Sequence, residues 1–269
     1  MATSSTFTAS DGDGYELQMG RWSRLLAPRF IKFAGVVSGG RVLDVGCGTG
    51  NLALCLAQIP GIGSVAGVDF SPIYIEHARR RNSDPRITFD VGDACALSFD
   101  DASFDHSLSM LVLQFIPEAE KALREMRRVT RPGGTVAAAT WDTRGGFVSY
   151  RLFFDTAAAV DPGAVARRAK VYTRPMTRPG ELERAWRAAG LVDVEQDMVS
   201  IRMDFASFAD FWAPIDGRDG PLADYVSSLD ADLKQRVRDA VERAYLDGDV
   251  DGSRSYVATA WVVKGTVPG

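Results

Sequence analysis

The sequence has few residues of the kinds that build disulfide frameworks or metal sites. Among 269 residues there are three cysteines and two histidines. The cysteines, Cys47, Cys55 and Cys95, form no C-x-x-C pair. Three isolated cysteines fit neither a disulfide framework nor a zinc finger. We therefore expect no metal, and the free thiols favour a reducing compartment and a cytoplasmic protein.

An excess of positive charge and long hydrophobic runs are also missing. Lysine and arginine total 31 against 35 aspartates and glutamates, which gives a formal charge of -4. This charge provides no field to attract a polyanion. No apolar run is long enough to cross a bilayer, and the first ten residues lack the basic and apolar stretches of an export signal. We expect neither nucleic acid nor a membrane as a partner.

The remaining composition is that of an ordinary globular chain. Hydrophobic residues make up 46% and charged residues 25%, which argues against disorder, collagen and coiled coils. The length allows one large α/β domain, alone or with a smaller appendage.

Short β-branched runs alternate with helical runs between Arg41 and Trp141. This alternation predicts right-handed βαβ units around a parallel sheet. The predicted strands are 41–45, 64–69, 86–91, 104–110 and 135–141, and the predicted helices are 51–59, 71–82 and 118–130. Together they indicate a doubly wound sheet.

The second half of the chain is less regular. Its predicted helices are 148–160, 181–189, 205–212 and 230–245, and its predicted strands are 192–203 and 253–263. Prolines and glycines such as Pro162, Pro179 and Gly220 interrupt the pattern. We therefore predict a helical lid over the sheet rather than a second independent domain.

An apolar strand, Val42 to Val45, leads into alternate glycines at Gly46, Gly48 and Gly50, just before a helix. Such a loop lets the backbone approach a ligand closely. A dinucleotide fingerprint would need a third glycine where this chain has Asn51, which weakens that interpretation but leaves it open.

Two further carboxylates follow later strands of the sheet. Asp69 ends the second strand, where a carboxylate can bind both ribose hydroxyls of an adenosine. Asp93 follows the third strand. Open α/β sheets bind ligands at this edge.

These motifs, in this order and at this spacing, resemble those of class I S-adenosylmethionine-dependent methyltransferases that act on small molecules. The resemblance runs from Tyr15 to about Lys264. It depends on four segments: Asp44-Val45-Gly46-Cys47-Gly48-Thr49-Gly50, Gly67-Val68-Asp69-Phe70-Ser71, Val91-Gly92-Asp93-Ala94 and Thr130-Arg131-Pro132-Gly133-Gly134. It implies a Rossmann-like, mostly parallel, seven-stranded sheet with a helical lid inserted after the fifth strand.

The resemblance also implies roles for individual residues toward S-adenosylmethionine. Gly46 and Gly48 would border its methionine part, and Asp69 would hold the ribose. Phe70 would flank the adenine, and Asp93 with Ala94 would bind the adenine edge. An aromatic face and a carboxylate acceptor suit those two tasks. For Phe70, packing in the core is the open alternative.

The segment Tyr15 to Trp22 resembles a helical cover that closes over the cofactor in related enzymes. Arg21 would then neutralise the cofactor carboxylate, with Tyr15 and Met19 near the methionine chain. The open alternative is an amphipathic helix with Arg21 in solvent. Met110, at the end of the fourth strand, is a further expected cofactor contact.

Substrate-binding candidates follow the fourth and fifth strands. Gln114 is expected to face the substrate, and Trp141 and Trp212 to line an apolar pocket, with Phe153 and Phe154 as further candidates. Ordinary core packing is the alternative for these aromatic residues.

The catalytic residues stay unassigned, because neither His77 nor His106 is suitably placed for a general base. This slightly favours amines or an acidic phenol as acceptors.

The sequence thus predicts transfer of a methyl group to an N or O atom of a small molecule by a monomer or homodimer. The predicted parts are an N-terminal cover (1–35), a methyltransferase core (36–145 and 190–269) and lid elements (146–189 and 204–250). Two alternatives stay open: an NAD(P)-dependent oxidoreductase, and a regulatory protein that binds S-adenosylmethionine without catalysis.

Overall fold

A computed structural model describes residues 5–7, 9–217 and 220–269. Its central element is a seven-stranded sheet with the order β3-β2-β1-β4-β5-β7-β6. The strands are β1 Arg41–Val45, β2 Ser64–Asp69, β3 Ile87–Val91, β4 Phe104–Met110, β5 Thr130–Trp141, β6 Val192–Phe205 and β7 Arg254–Thr266. All pairs are parallel except those of β7, which is antiparallel to β5 and β6. The predicted doubly wound, mostly parallel sheet is confirmed.

The helices precede, separate and cover these strands. They are α1 Gly12–Tyr15, a π-helix Glu16–Gly20, α2 Arg21–Ala34, α3 Asn51–Leu56, α4 Pro72–Arg81, a 3₁₀-helix Leu113–Phe115, α5 Ala119–Val129, α6 Val148–Val160, α7 Pro162–Tyr172, α8 Glu181–Ala188, α9 Phe208–Trp212, α10 Pro221–Ser227 and α11 Ala231–Leu246. Helices α1 and α2 fall within the segment predicted as a cover.

Two helices, α7 and α10, were not predicted from the sequence. Each begins with a proline, Pro162 or Pro221, at its first position. Proline is favoured there because its missing N–H is not needed and its φ suits a helix. In α7 the preceding Asp161 side chain also accepts from the Gly163 N–H at 2.9 Å. Pro162, which suggested an interruption in the sequence, therefore starts a helix instead.

Each face of the sheet carries its own apolar core. On one face Phe30, Leu52 and Ile75 bring α2, α3 and α4 against the strands. On the other face Met126 of α5 and Trp186 of α8 are fully buried. The Trp186 indole N–H donates to the backbone oxygen of Val136 at 2.9 Å, which fixes α8 on β5.

The remaining helices lie in two connections: α6 to α8 between β5 and β6, and α9 to α11 between β6 and β7. Their action as a lid stays a prediction. Within the described ranges, no helix combines the length and apolar character that crossing a membrane requires.

Candidate functional site

A cavity opens at the carboxyl ends of β1 to β4, beside the point where the strand order reverses between β1 and β4. Ligands of open α/β sheets bind in this position. We call it the first cavity. Its lining consists of Ser5, Phe7, Tyr15, Gly46, Gly48, Asp69, Phe70, Tyr74, Gly92, Asp93, Ala94, Leu111, Val112, Phe115 and Ile116.

The glycine loop after β1 forms the floor of this cavity. Gly46, Gly48 and Gly50 have φ angles of +74°, +54° and +88°, a region that favours glycine. A Cβ on Gly46 would overlap a methyl carbon of Val112. The segment after β4 therefore packs directly on the loop and excludes a larger residue at Gly46.

Asp69 links the second strand to the glycine loop. Its Oδ2 accepts from the Gly48 N–H and its Oδ1 from the Ser71 N–H, both at 2.8 Å. Burial raises the pKa of Asp69, although both backbone donors oppose the shift. Each carboxylate oxygen can accept more than one hydrogen bond, so capacity remains for a ligand hydroxyl.

Phe70, Asp93 and Ala94 line the same cavity. The Phe70 side chain is 53% exposed, so it is not packed in the core. The Oδ1 atom of Asp93 accepts from the Cys95 N–H at 2.8 Å, which leaves acceptor capacity on its Oδ2. A flat apolar group beside Phe70 would therefore find a carboxylate at its edge.

Asp44 lies beneath the loop rather than in the cavity. It is 1% exposed, and its Oδ2 accepts from the Ala53 N–H at 3.1 Å. Burial raises the pKa of Asp44 to about 8, with a smaller contribution from the charge of Asp69 and opposition from the Ala53 hydrogen bond. Asp44 therefore joins β1 to α3.

The N-terminal cover packs over the glycine loop through Glu16. Glu16 Oε1 accepts from the Asn51 amide at 2.8 Å, the Arg81 guanidinium at 2.9 Å and the Thr49 hydroxyl, and Oε2 pairs with Arg24. Burial alone would raise the pKa of Glu16, but these donors hold it below its ordinary value. Sequence reasoning missed this role, because nothing local to Glu16 indicates such distant partners.

Tyr15, another residue of the cover, lines the first cavity. Its ring centroid lies 5.0 Å from that of Tyr74 on α4. A Cβ on Gly48 would lie 3.9 Å from the Tyr15 hydroxyl. The cover and the glycine loop therefore face each other across a narrow gap.

Three of the predicted cofactor contacts are placed elsewhere. Arg21 pairs with Asp210 of α9 at 2.9 Å, and its guanidinium carbon lies 4.2 Å from the Trp22 ring centroid. Met110 is 8% exposed and belongs to the apolar core. Met19 borders a neighbouring cavity. The structure does not bring these three side chains into the first cavity.

The second cavity adjoins the first one. Both are lined by Phe7, Tyr15, Leu111 and Phe115. Further lining residues of the second cavity are Gln18, Met19, Gln114, Trp141, Thr143, Phe147, Tyr150, Arg174 and Pro221. Two predicted substrate residues, Gln114 and Trp141, thus lie together beside the first cavity.

Leu111 stands at the boundary between the two cavities with φ +67°. A branched, non-glycine residue in this region carries backbone strain, which tends to occur at functional sites. Its N–H donates to the Ala139 oxygen at 2.7 Å, which holds the turn after β4. The sequence offers no signal for this conformation.

Other candidates lie in the core. Trp212 is 6% exposed and packs 5.8 Å from the ring of Phe208, and Phe153 is fully buried. Phe154 is 1% exposed. These placements correspond to the core-packing alternative.

The two histidines lie outside both cavities. His77 Nε2 is 3.1 Å from Asp13 Oδ1, and burial lowers the pKa of His106 within β4. Among the described residues no cluster of three or more histidines, cysteines or carboxylates suits a metal ion.

Comparisons with known proteins find similarity to methyltransferases over part of the chain. Residues 42–134 match the model of a methyltransferase domain. A ubiquinone/menaquinone biosynthesis C-methyltransferase of Geobacter is 37% identical over 128 residues, covering 46% of this chain and 53% of that protein. The chain spans about half the length of the curated relatives it matches.

Solved structures give the same fold. A Haemonchus contortus phosphoethanolamine N-methyltransferase, in complex with phosphomonomethylethanolamine and S-adenosylhomocysteine, has a TM-score of 0.59 at 18% identity, covering 96% of this chain and 57% of that one. The [4+2]-cyclase SpnF has a TM-score of 0.55 at 21% identity, covering 100% and 88%. At these identities the likeness concerns the fold alone.

Proposed function

We propose that the chain, whose residues 42–134 match the model of a methyltransferase domain, transfers a methyl group from S-adenosylmethionine to an N or O atom of a small molecule. The observation that carries the proposal is the convergence of Tyr15, Gly46, Gly48, Asp69, Phe70, Asp93 and Ala94 on one cavity. The acceptor would occupy the second cavity.

The lining of the first cavity fits the chemistry of the cofactor. Asp69 offers carboxylate acceptors for two ribose hydroxyls, and Phe70 offers an exposed ring for the adenine. Asp93 would accept from the exocyclic amine of the adenine, and Gly48 lets the methionine part approach the backbone. When bound, S-adenosylmethionine supplies an electrophilic methyl carbon on a sulfonium.

The protein's part in the reaction is to position the acceptor and exclude water. When bound, S-adenosylmethionine would supply the methyl group through its carbon–sulfur bond, and the proton of the acceptor nucleophile would pass to solvent. Leu111 and Tyr15 border both cavities, so they would hold the acceptor in line with that bond. An amine or acidic phenol needs no strong base, which suits a second cavity without histidine.

Acceptor class, location and assembly belong to the same proposal. A small-molecule acceptor is supported by the aromatic rings that border the second cavity. We propose a cytoplasmic monomer or homodimer. The Geobacter relative is named a C-methyltransferase, so carbon nucleophiles should be tested as acceptors as well.

Binding and turnover assays distinguish the proposed methyltransferase from two alternative functions. An NAD(P)-dependent oxidoreductase would bind NAD rather than S-adenosylhomocysteine, and a non-catalytic protein would bind S-adenosylhomocysteine without turnover. The SpnF likeness illustrates that this fold also occurs in a protein described as a cyclase.

The test is turnover with a panel of amines, phenols and carbon nucleophiles. S-adenosylhomocysteine should form only when an acceptor is present, and the acceptor should gain one methyl group by mass spectrometry. Asp69→Ala should lose this activity. Tight cofactor binding with no methylated product across the panel would favour the regulatory alternative.

A further inference from the structure

The second cavity contains buried polar atoms without partners. Trp141 Nε1, Gln114 Oε1 and Thr143 Oγ1 each belong to a residue that is 3% exposed. None of these three atoms has a hydrogen-bond partner within the described part of the chain. A buried polar group without a partner is costly, and such groups in native proteins call for an explanation. Three of them around one cavity indicate a polar ligand.

Arg174 adds a charge to this cavity. It lines the second cavity, and its guanidinium carbon lies 4.4 Å from the ring centroid of Phe115. Within residues 5–7, 9–217 and 220–269, no carboxylate lies at ion-pair distance from it. Burial lowers the pKa of Arg174, but a guanidinium stays protonated at neutral pH. A half-buried cation without an acidic partner is a ready site for an anion.

The neighbour of Arg174 does not supply that anion. Burial raises the pKa of Tyr150 to about 12, although Arg174 opposes the shift. The Tyr150 phenol is therefore neutral at physiological pH. It therefore supplies no negative charge beside Arg174.

The charges around a neighbouring cavity also favour an anionic ligand. A third, outer cavity shares Phe7, Gln114, Phe115, Arg174 and Pro221 with the second. Its described lining contains three cations, Arg167, Lys170 and Arg174, and one acid, Asp224. The lining of the outer cavity is thus net positive on a chain whose formal charge is -4, which would draw anions toward Arg174.

The walls of the second cavity are flat and aromatic. The rings of Phe147 and Tyr150 stack with centroids 4.9 Å apart and an interplanar angle of 21°. Trp141 lies 5.1 Å from Phe147. Such walls suit a planar apolar body.

We propose that the methyl acceptor is a planar aromatic carboxylate whose carboxylate binds Arg174. Its ring lies against the aromatic wall formed by Trp141, Phe147 and Tyr150, and its nucleophilic atom points to Leu111 and Tyr15, where the second cavity meets the first. Trp141 Nε1 and Gln114 Oε1 offer one donor and one acceptor to ring substituents. This inference rests on the proposed function, since it needs the cofactor in the first cavity.

The test is calorimetry on the full chain saturated with S-adenosylhomocysteine. The probes are aromatic carboxylates of one to three rings, each paired with its neutral carboxamide, for example 2-naphthoate and 2-naphthamide. The best acid should bind about 10- to 100-fold more tightly than its amide, the scale of a charge-assisted hydrogen bond. Arg174→Gln should abolish that preference, and Arg174→Lys should keep part of it.

Controls separate the possible outcomes. Arg178→Gln removes an exposed arginine four residues away and should leave the preference unchanged. In the wild type, added salt should weaken binding of the acid but not of the amide, which tests the charge without any mutation. An acid that binds no better than its amide, a preference that survives in Arg174→Gln, or no acid binding at all would overturn the inference. Failure of S-adenosylhomocysteine itself to bind would instead overturn the proposed function.

Discussion

The backbone N–H of Gly48 donates to Asp69 Oδ2 at 2.8 Å. This hydrogen bond ties the glycine loop after β1 to the end of β2. The residue proposed to hold the ribose therefore also holds the loop that borders the methionine part. Changes at Asp69 should consequently affect both ends of the bound cofactor.

Asp69→Ala should weaken S-adenosylhomocysteine binding by about 1.5–3 kcal/mol, because charge-assisted hydrogen bonds to the ribose are lost. Calorimetry on the folded variant measures this. Asp90→Ala removes an exposed carboxylate on neighbouring β3 and should bind normally. Unchanged affinity in Asp69→Ala would remove the ribose assignment.

Gly48→Val should abolish cofactor binding with little change in secondary structure, because a branched side chain would enter the gap below Tyr15. Gly35→Val is the matched control: Gly35 has a similar positive φ of +71° and open space around its Cβ position. It should lose stability through strain but keep its affinity. Normal binding by Gly48→Val would place the ligand elsewhere.

Glu16→Ala should release the N-terminal cover, because it removes the acceptor shared by Thr49, Asn51 and Arg81. Hydrogen–deuterium exchange in residues 12–20 should become faster, and protection by S-adenosylhomocysteine should shrink. Glu76→Ala, which breaks an exposed ion pair with Arg80, is the control. Equal exchange in wild type with and without ligand would contradict closure of the cover.

Arg21→Ala and Asp210→Asn should lower the melting temperature to a similar extent, because each breaks the same ion pair. If this pairing is the main role of Arg21, both variants should keep their affinity for S-adenosylhomocysteine. A loss of affinity in Arg21→Ala alone would instead support the predicted contact with the cofactor carboxylate.

Asp44 should make the protein less stable as the pH rises. Its pKa is about 8 in the folded chain against an ordinary 3.8, so between these values the folded state binds more protons than the unfolded state. The stabilisation is complete below the lower value and is lost as the pH rises through the folded pKa. Thermal unfolding of wild type and Asp44→Asn should show this difference, about 2 kcal/mol or more from pH 5 to pH 8. Parallel pH profiles would contradict it.

The sequence predicts those site residues whose positions depend on a local pattern, such as the end of a strand. Gly48, Asp69 and Asp93 lie at or just after the ends of predicted strands, and parallel strands bring their carboxyl ends to one edge. The parallel strand order therefore explains why these three residues line one cavity. Phe70, whose sequence allowed either a core or a ligand position, is exposed at that edge.

The remainder depends on contacts between distant segments. Glu16 binds groups more than 30 residues away, and Arg174 reaches its cavity after two helices that follow β5. The positive φ of Leu111 occurs in the turn whose next residue, Val112, packs on Gly46, and no local pattern encodes it. Arg21 had two plausible environments in the sequence, and its partner Asp210 became visible only in the folded chain.

Calorimetric titration of the wild-type chain with S-adenosylhomocysteine, and separately with NAD, tests the central claim most directly. We predict saturable binding of S-adenosylhomocysteine at one site per chain, weakened in Asp69→Ala and absent in Gly48→Val, with no heat from NAD. Saturable binding of NAD without binding of S-adenosylhomocysteine would contradict the claim that the glycine-loop cavity is an S-adenosylmethionine site.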